Sequence, residues 1–189
     1  MEELNHKSVR TNGATRRKMI VTAAAFGGFA ACSLTAWGAD DSGLTRSAET
    51  IHQEPVFDGS PTRIYQALTD AKEFDRVMRL SAAMRSMATG TAPAVISPEV
   101  GGAFSLFGGY VTGRQLELAK DSLIIQAWRS QGWKPDDYSI ARFHLVEHAT
   151  GTRIIFDHRG FPDGNGSHLA EGWKINYWEP LREYLNHQK

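Results

Sequence analysis

The sequence has 189 residues, 41% apolar and 22% charged, a globular composition that excludes wholesale disorder, collagen-like sequence and a polytopic membrane protein. Lys and Arg number 21 and Asp and Glu 21, so the net charge is zero and gives no support for nucleic-acid binding. A single cysteine, Cys32, excludes an intramolecular disulfide framework and a cysteine-cluster metal site.

The charge is unevenly spread. Residues 1–39 hold five basic residues, Lys7, Arg10, Arg16, Arg17 and Lys18, against Glu2 and Glu3; residues 40–189 carry 16 basic and 19 acidic residues. Met19 to Ala39 has no charged side chain and is rich in Ala, Gly and Thr, and Ala36, Gly38 and Ala39 close it before Asp40-Asp41. Basic, uncharged and small-residue segments in that order predict an export signal over residues 1–39. Thr15-Arg16-Arg17-Lys18-Met19-Ile20 resembles the twin-arginine motif, with Met19 and Ile20 where that pattern prefers Phe and Leu. That resemblance implies the twin-arginine export machinery as a partner, folding before export, and a periplasmic or secreted mature chain. Cleavage near Ala39 removes Cys32, which suits an oxidising compartment, and leaves no stable membrane association. Two alternatives stand beside it. The uncharged run is long enough to remain as a membrane anchor, and Phe29-Ala30-Ala31-Cys32 faintly resembles a lipobox, which would lipidate Cys32.

Residues 40–46 read as a polar leader and 47–189 as one α+β domain. Glu49 to Phe57 alternates loosely and predicts a first strand. Asp58-Gly59-Ser60-Pro61 is a turn, with Ser60 as N-cap and Pro61 as first residue of a short helix whose inward face is Ile64, Tyr65 and Leu68. Thr69-Asp70 starts a second short helix carrying Phe74, Val77 and Met78. Residues 79–98 allow a helical turn or two through Leu80, Met84 and Met87, broken by Gly90-Thr91-Ala92-Pro93 and Ser97-Pro98, and predict a mobile loop or lid.

From Gly101 the pattern turns to strands. Gly102 to Phe107, a Gly108-Gly109 hairpin turn, Tyr110 to Leu118, and Leu123 to Arg129 follow one another. After a loop through Lys134-Pro135-Asp136-Asp137, Ser139 to Glu147 alternates with Ile140, Phe143 and Leu145 as its apolar set. Thr150-Gly151 turns the chain into Thr152 to His158. A helix from His168 to Asn186 ends the domain, with Leu169, Trp173, Tyr177, Leu181 and Tyr184 on one face and Pro180 expected to kink or restart it. Consecutive hairpins predict an antiparallel sheet, and the terminal helix is its natural cover.

That order, with Pro61-Thr62-Arg63-Ile64-Tyr65-Gln66-Ala67-Leu68-Thr69-Asp70, Gly101 to Gly113, Ile125-Gln126-Ala127-Trp128-Arg129, Gly151-Thr152, Phe156-Asp157-His158, Gly172-Trp173 and Tyr177-Trp178, resembles the START-like (SRPBCC, Bet v 1-like) superfamily. The branch it is most similar to is the domain related to the C-terminal part of the activator of heat-shock protein 90 ATPase. The resemblance runs from about Ser47 to Leu185. It implies a helix-grip fold, in which a curved antiparallel sheet with two short helices after its first strand wraps around a long C-terminal helix and leaves a cavity between them.

The chain carries no Gly-rich nucleotide fingerprint, P-loop or Gly-x-Ser-x-Gly elbow. Asp163-Gly164-Asn165-Gly166-Ser167 begins like a calcium loop but lacks Gly at its sixth position and an acid at its twelfth. His144 and His148, if on one strand, stand about 13 Å apart, too far to share an ion, so no metal or other cofactor is expected. His158 is the weak candidate for a general base, although its neighbour Asp157 points to the opposite face of the strand and cannot readily orient it. The aromatic residues carry more. Phe104, Tyr110, Trp128, Trp133, Trp173, Tyr177 and Trp178, with Arg129 and His158, are the candidate ligand-binding residues of an apolar cavity with a polar rim, set against plain core packing of the same rings. The reading that follows is a non-catalytic domain that binds a small hydrophobic or amphipathic molecule. A co-chaperone-like ATPase activator is the alternative, and a hydrolase or cyclase using His158, Arg129 or Tyr110 is a second.

Overall fold

In the computed structural model, which describes residues 49–87, 90–149 and 151–187, the chain enters its sheet as an edge strand. The expected signal over 1–39 and leader over 40–46 lie outside those residues. The expected first strand is two pieces, β1 (Thr50–Gln53) and β2 (Val56–Phe57), both antiparallel to the same later strand. Pro55 divides them, because it has no N–H to give a ladder; its carbonyl still accepts from the Ile154 N–H.

Helix α1 (Pro61–Thr69) starts as its sequence dictates. The Ser60 side chain accepts from the Arg63 N–H, and Pro61 occupies the first turn, where no backbone donor is needed. Asp70 ends α1 and caps α2 (Ala71–Met78), accepting from the Lys72 and Glu73 N–H groups. Ile64, Leu68, Phe74, Val77 and Met78 are buried as the apolar spacing predicts.

Residues 79–98 are not the loop expected over their length. Ser81 caps a short helix, α3 (Ala82–Ser86), and a two-residue strand, β3 (Val95–Ile96), adds to the sheet edge. Two side chains hold this segment: Asp75 accepts from the Ala94 N–H at 2.9 Å, and Asn176 accepts from the Ala83 N–H at 2.9 Å. Neither tie is local, so no pattern within 79–98 announces it.

The remaining strands are β4 (Ala103–Leu106), β5 (Val111–Ala119), β6 (Leu123–Ser130), β7 (Ser139–His148) and β8 (Gly151–Arg159). The sheet order is β1-β8-β7-β6-β5-β4-β3, with β2 also on β8 and every pairing antiparallel. The β4–β5 turn takes in Phe107 and Tyr110 as well as the expected Gly108-Gly109. Phe107 itself has φ 51°, followed by Gly108 at 66° and Gly109 at 93°. A bulky side chain in the left-handed region is strained. It is held there by edge-on packing against Phe74 and Tyr177, with ring centres 5.8 and 5.7 Å away. On β5, Gly113 is required: a Cβ there would lie 2.0 Å from the Ala127 carbonyl and 2.3 Å from the Phe104 ring.

One strand face differs from expectation. Ser139, Ala141, Phe143 and Leu145 point inward on β7, while Ile140 is 42% exposed. The period of two allows only one parity inside, and Phe143 and Leu145 set it.

The covering helix is three contiguous parts: α4 (Gly166–Trp173), a π turn (Lys174–Trp178) and α5 (Glu179–Asn186). Pro180 does not stop it. Proline cannot donate to the carbonyl four residues back, and just before it the chain widens, with the Glu179 N–H reaching Lys174 five residues back. Trp173 packs on Phe156 with ring centres 4.5 Å apart and stacks on Trp178 at 5.9 Å and 22°. Leu181 and Leu185 complete the buried face. The result is the α+β helix-grip architecture, a curved antiparallel sheet closed around its C-terminal helix.

Candidate functional site

A cavity of about 490 Å³ lies at the end of the grip where β6, the β4–β5 turn, α3 and the terminal helix converge. The helix contributes a stripe: Asn165, His168, Leu169, Gly172, Trp173, Asn176 and Tyr177, at spacings of three and four. Gly172 keeps this wall open, since a Cβ there meets nothing within 4 Å. The β4–β5 turn supplies Phe107, Tyr110 and Val111. The end of β6 and its following loop supply Trp128, Ser130, Gln131, Gly132 and Trp133, and α3 with its C-terminal cap supplies Ala83, Ser86 and Met87. Tyr110, Gln131, Gly132, Ser86 and His168 are exposed, so this rim meets solvent while Trp128, Trp173 and Tyr177 are buried.

Among the described residues that line the cavity, none is Lys, Arg, Asp or Glu. Its walls are rings. Trp128 meets Trp133 edge to face at 6.0 Å and lies tilted against Trp173 at 5.4 Å; Trp173 meets Tyr177 at 4.3 Å. Two ring residues of this wall also carry buried polar atoms. The Trp128 indole N–H and the Tyr177 O–H make no hydrogen bond with any described residue. Burial pushes the Tyr177 phenol well above the usual tyrosine range; the nearby Trp128 N–H opposes this slightly, although the pair falls outside hydrogen-bond geometry. Tyr177 therefore keeps its proton and remains a donor.

His158 occupies a different place from the cavity mouth expected of it. It is fully buried on the inner face of β8 and does not line the cavity. Its Nδ1 lies 3.0 Å from the Trp173 Nε1 and its Nε2 2.7 Å from the Ser139 Oγ. An indole N–H can only donate, so Nδ1 accepts and the ring proton sits on Nε2, donating to Ser139. Ser139 in turn donates to the Trp128 carbonyl at 3.0 Å. Burial lowers the His158 pKa to about 3. Both ring nitrogens are thus committed to joining β6, β7, β8 and the helix, and neither is free to take a substrate proton. As expected from strand geometry, Asp157 points the other way. It bonds His52 at 2.9 Å and lies 3.7 Å from Arg142 and 3.5 Å from Arg159. Its hydrogen bond with His52 lowers the Asp157 carboxyl and raises His52.

Of the nine candidate ligand-binding residues, the structure brings five to the cavity: Tyr110, Trp128, Trp133, Trp173 and Tyr177. The other four do not line it. Phe104 is buried over Gly113. Arg129 points to the outer side of β6, its guanidinium donating to the Trp133 and Lys134 carbonyls. Trp178 is core, its N–H donating to the Gln53 amide oxygen. His158 has been placed above. The second alternative's trio, His158, Arg129 and Tyr110, is therefore not assembled at one point. Leu169, Gly172 and Asn176 were missed although the same helical spacing that picked Trp173 and Tyr177 includes them. The α3 residues carried no such signal.

The family model described as Activator of Hsp90 ATPase homolog 1-like protein matches residues 58–186. The mouse Activator of 90 kDa heat shock protein ATPase homolog 2 is 26% identical over 135 residues, which are 71% of this chain and 37% of that protein. The human homolog 1 is 23% identical over 116 residues, 61% of this chain and 34% of that protein. The chain thus spans little more than a third of the length of these relatives. Among solved structures, an HSP90 activator from Plasmodium falciparum is similar with a TM-score of 0.60 and 24% identity, covering 74% of this chain and 96% of that one. Protein MLL2253 from Mesorhizobium loti is similar with a TM-score of 0.59 and 20% identity, covering 74% and 98%. At these identities the structural likenesses establish the fold.

Proposed function

We propose, from the premise that the chain belongs to the Activator of Hsp90 ATPase homolog 1-like family, that it holds a small hydrophobic or amphipathic molecule in its helix-grip cavity without transforming it, outside the cytoplasmic membrane. One observation carries the reading: a ring-walled space of about 490 Å³, free of charged lining side chains among the described residues and opening at a polar rim. Its size falls within the range of small-molecule pockets, and its walls have the apolar, aromatic character such pockets show. The location rests on the order of charges and small residues over 1–39 alone.

Native mass spectrometry of the protein purified from the exported fraction tests this. The expected result is extra mass that dissociates as one small molecule. A bare polypeptide that also fails to bind the neutral reporter N-phenyl-1-naphthylamine overturns the binding reading. A mass still including residues 1–39 overturns the cleaved-signal reading.

A second reading is favoured by the relatives' names: a domain that stimulates the ATPase of a 90 kDa heat-shock protein. Stimulation of such an ATPase by the purified chain would support it; an unchanged rate at saturating chain would remove it.

A further inference from the structure

The geometry points to a neutral, flat molecule with a carbonyl oxygen as the occupant of this cavity, the oxygen accepting from Tyr177 and Trp128. The inference rests on the reading of the cavity as a ligand site and names the chemistry it selects.

Three observations converge on it. The first is the pair of orphaned donors. Trp128 Nε1–H can only donate, and Tyr177 O–H is a donor held in its protonated form by burial. Both atoms are buried without a partner in a protein where most such groups are paired, and leaving them so is costly. What satisfies two neighbouring donors is an acceptor, and a carbonyl oxygen has two lone pairs for them. The second is charge. No Lys or Arg lies among the described lining residues and His168 stands at the exposed rim, so an anionic oxygen at the buried donors would have no counter-charge, which disfavours a carboxylate. The third is shape. Trp128, Trp133 and Trp173 and the rings of Phe107, Tyr110 and Tyr177 surround the space, and ring walls favour a planar apolar body through offset and edge contacts.

The gain from such a bond is larger than usual. An ordinary hydrogen bond to a ligand replaces one to water, so its net worth is small. Here burial has already stripped water from the protein's donors, so an incoming acceptor recovers a cost incurred on folding. The donors are covered as well as unpartnered, so the rings around them must shift as the oxygen arrives, and the cavity tryptophans report the event.

The test compares three probes by tryptophan fluorescence titration of the full chain: 9-fluorenone, fluorene, which has the same rings without the oxygen, and 9-fluorenone-4-carboxylate. Fluorenone is expected to bind at least about tenfold more tightly than fluorene, with the carboxylate weaker than fluorenone. In Tyr177→Phe the ratio of fluorenone to fluorene affinity should fall toward one, and the variant should melt no lower than the wild type because it loses only an unpaired hydroxyl. Trp128→Phe, which deletes the other donor, should also cut the preference. Equal binding of fluorenone and fluorene, or a preference untouched in both variants, overturns the inference and leaves the cavity reading standing. No binding of either neutral probe to folded protein overturns both.

Discussion

At His158 a side chain that looked chemical is structural, and pH exposes the difference. Its folded pKa of about 3 lies below the ordinary histidine value of 6.5 because burial penalises the charged ring. Between those values the unfolded chain binds a proton that the folded chain does not. Stability fully present above pH 6.5 is therefore lost as the pH falls toward 3, at up to about 1.4 kcal/mol per pH unit. His52 acts with the opposite sign. It is exposed and its pKa is raised by Asp157 and Glu54, so its contribution is present below 6.5 and fades as pH rises through the folded value. Asp157, lowered chiefly by its bond with His52, contributes above the ordinary aspartate value of 3.8, and that contribution is lost in stronger acid. Chemical denaturation at a series of pH values should show the His158 slope, and His158→Ala should flatten it. That variant should also cost about 2–5 kcal/mol, by cavity formation and by orphaning the Trp173 and Ser139 partners. Two glycines give residue-scale tests with opposite outcomes. Gly113→Ala drives a methyl into the Ala127 carbonyl and the Phe104 ring, and should destabilise by about 1–3 kcal/mol in urea unfolding. Gly172→Leu puts its Cβ in open space on a helix and its branch toward the cavity, so it should keep or raise the melting temperature while abolishing binding of N-phenyl-1-naphthylamine.

Among the elements, α3 and the terminal helix decide the shape of the site. The α3 segment is too short to be stable alone, and is held where Asp75 and Asn176 accept backbone N–H groups at its two sides. Asp75→Ala leaves the buried Ala94 N–H without its acceptor and should cost about 1–3 kcal/mol. It should also speed amide exchange across 82–96 ahead of the strands, as hydrogen-exchange mass spectrometry can read. The terminal helix was legible as an apolar stripe, and Pro180 as a disturbance in it. That the disturbance becomes a π turn and not a break follows from packing on both sides of it. Trp173 is bonded to His158, Trp178 is bonded to Gln53, and Leu181 and Leu185 are buried beyond. Breaking the helix would lift one half of that face from the sheet.

For the whole molecule, the grip encloses rings at one end without filling the space between them, and the binding reading draws on that surplus. A chain selected only for a solid core would place larger side chains at Gly172 or Ser130, both of which line the cavity. Charge asymmetry belongs to this scale too. If residues 1–39 direct export, replacing Arg16 and Arg17 together by Lys should leave the protein unprocessed in the cytosolic fraction, as cell fractionation with an antibody would show. Processing that persists unchanged would remove the twin-arginine route.

The sequence by itself determined the order of the longer elements, the helix starts at Ser60-Pro61 and Asp70, the antiparallel hairpins and the aromatic stripe of the covering helix. Each of these is a local matter: a cap bonds its own first turn, a hairpin turn bonds its own strands, and helical spacing needs only neighbours. Tertiary structure alone decided which rings became wall and which became core, because that depends on side chains brought from distant strands. Trp128 and Trp178 are alike in sequence, yet one lines the cavity and the other bonds Gln53 beside β8. It also decided that His158 is committed on both nitrogens, to Trp173 and Ser139, 15 and 19 residues away along the chain. Such pairings arise only when sheet register and helix placement are fixed together, and no pattern within a single element encodes them.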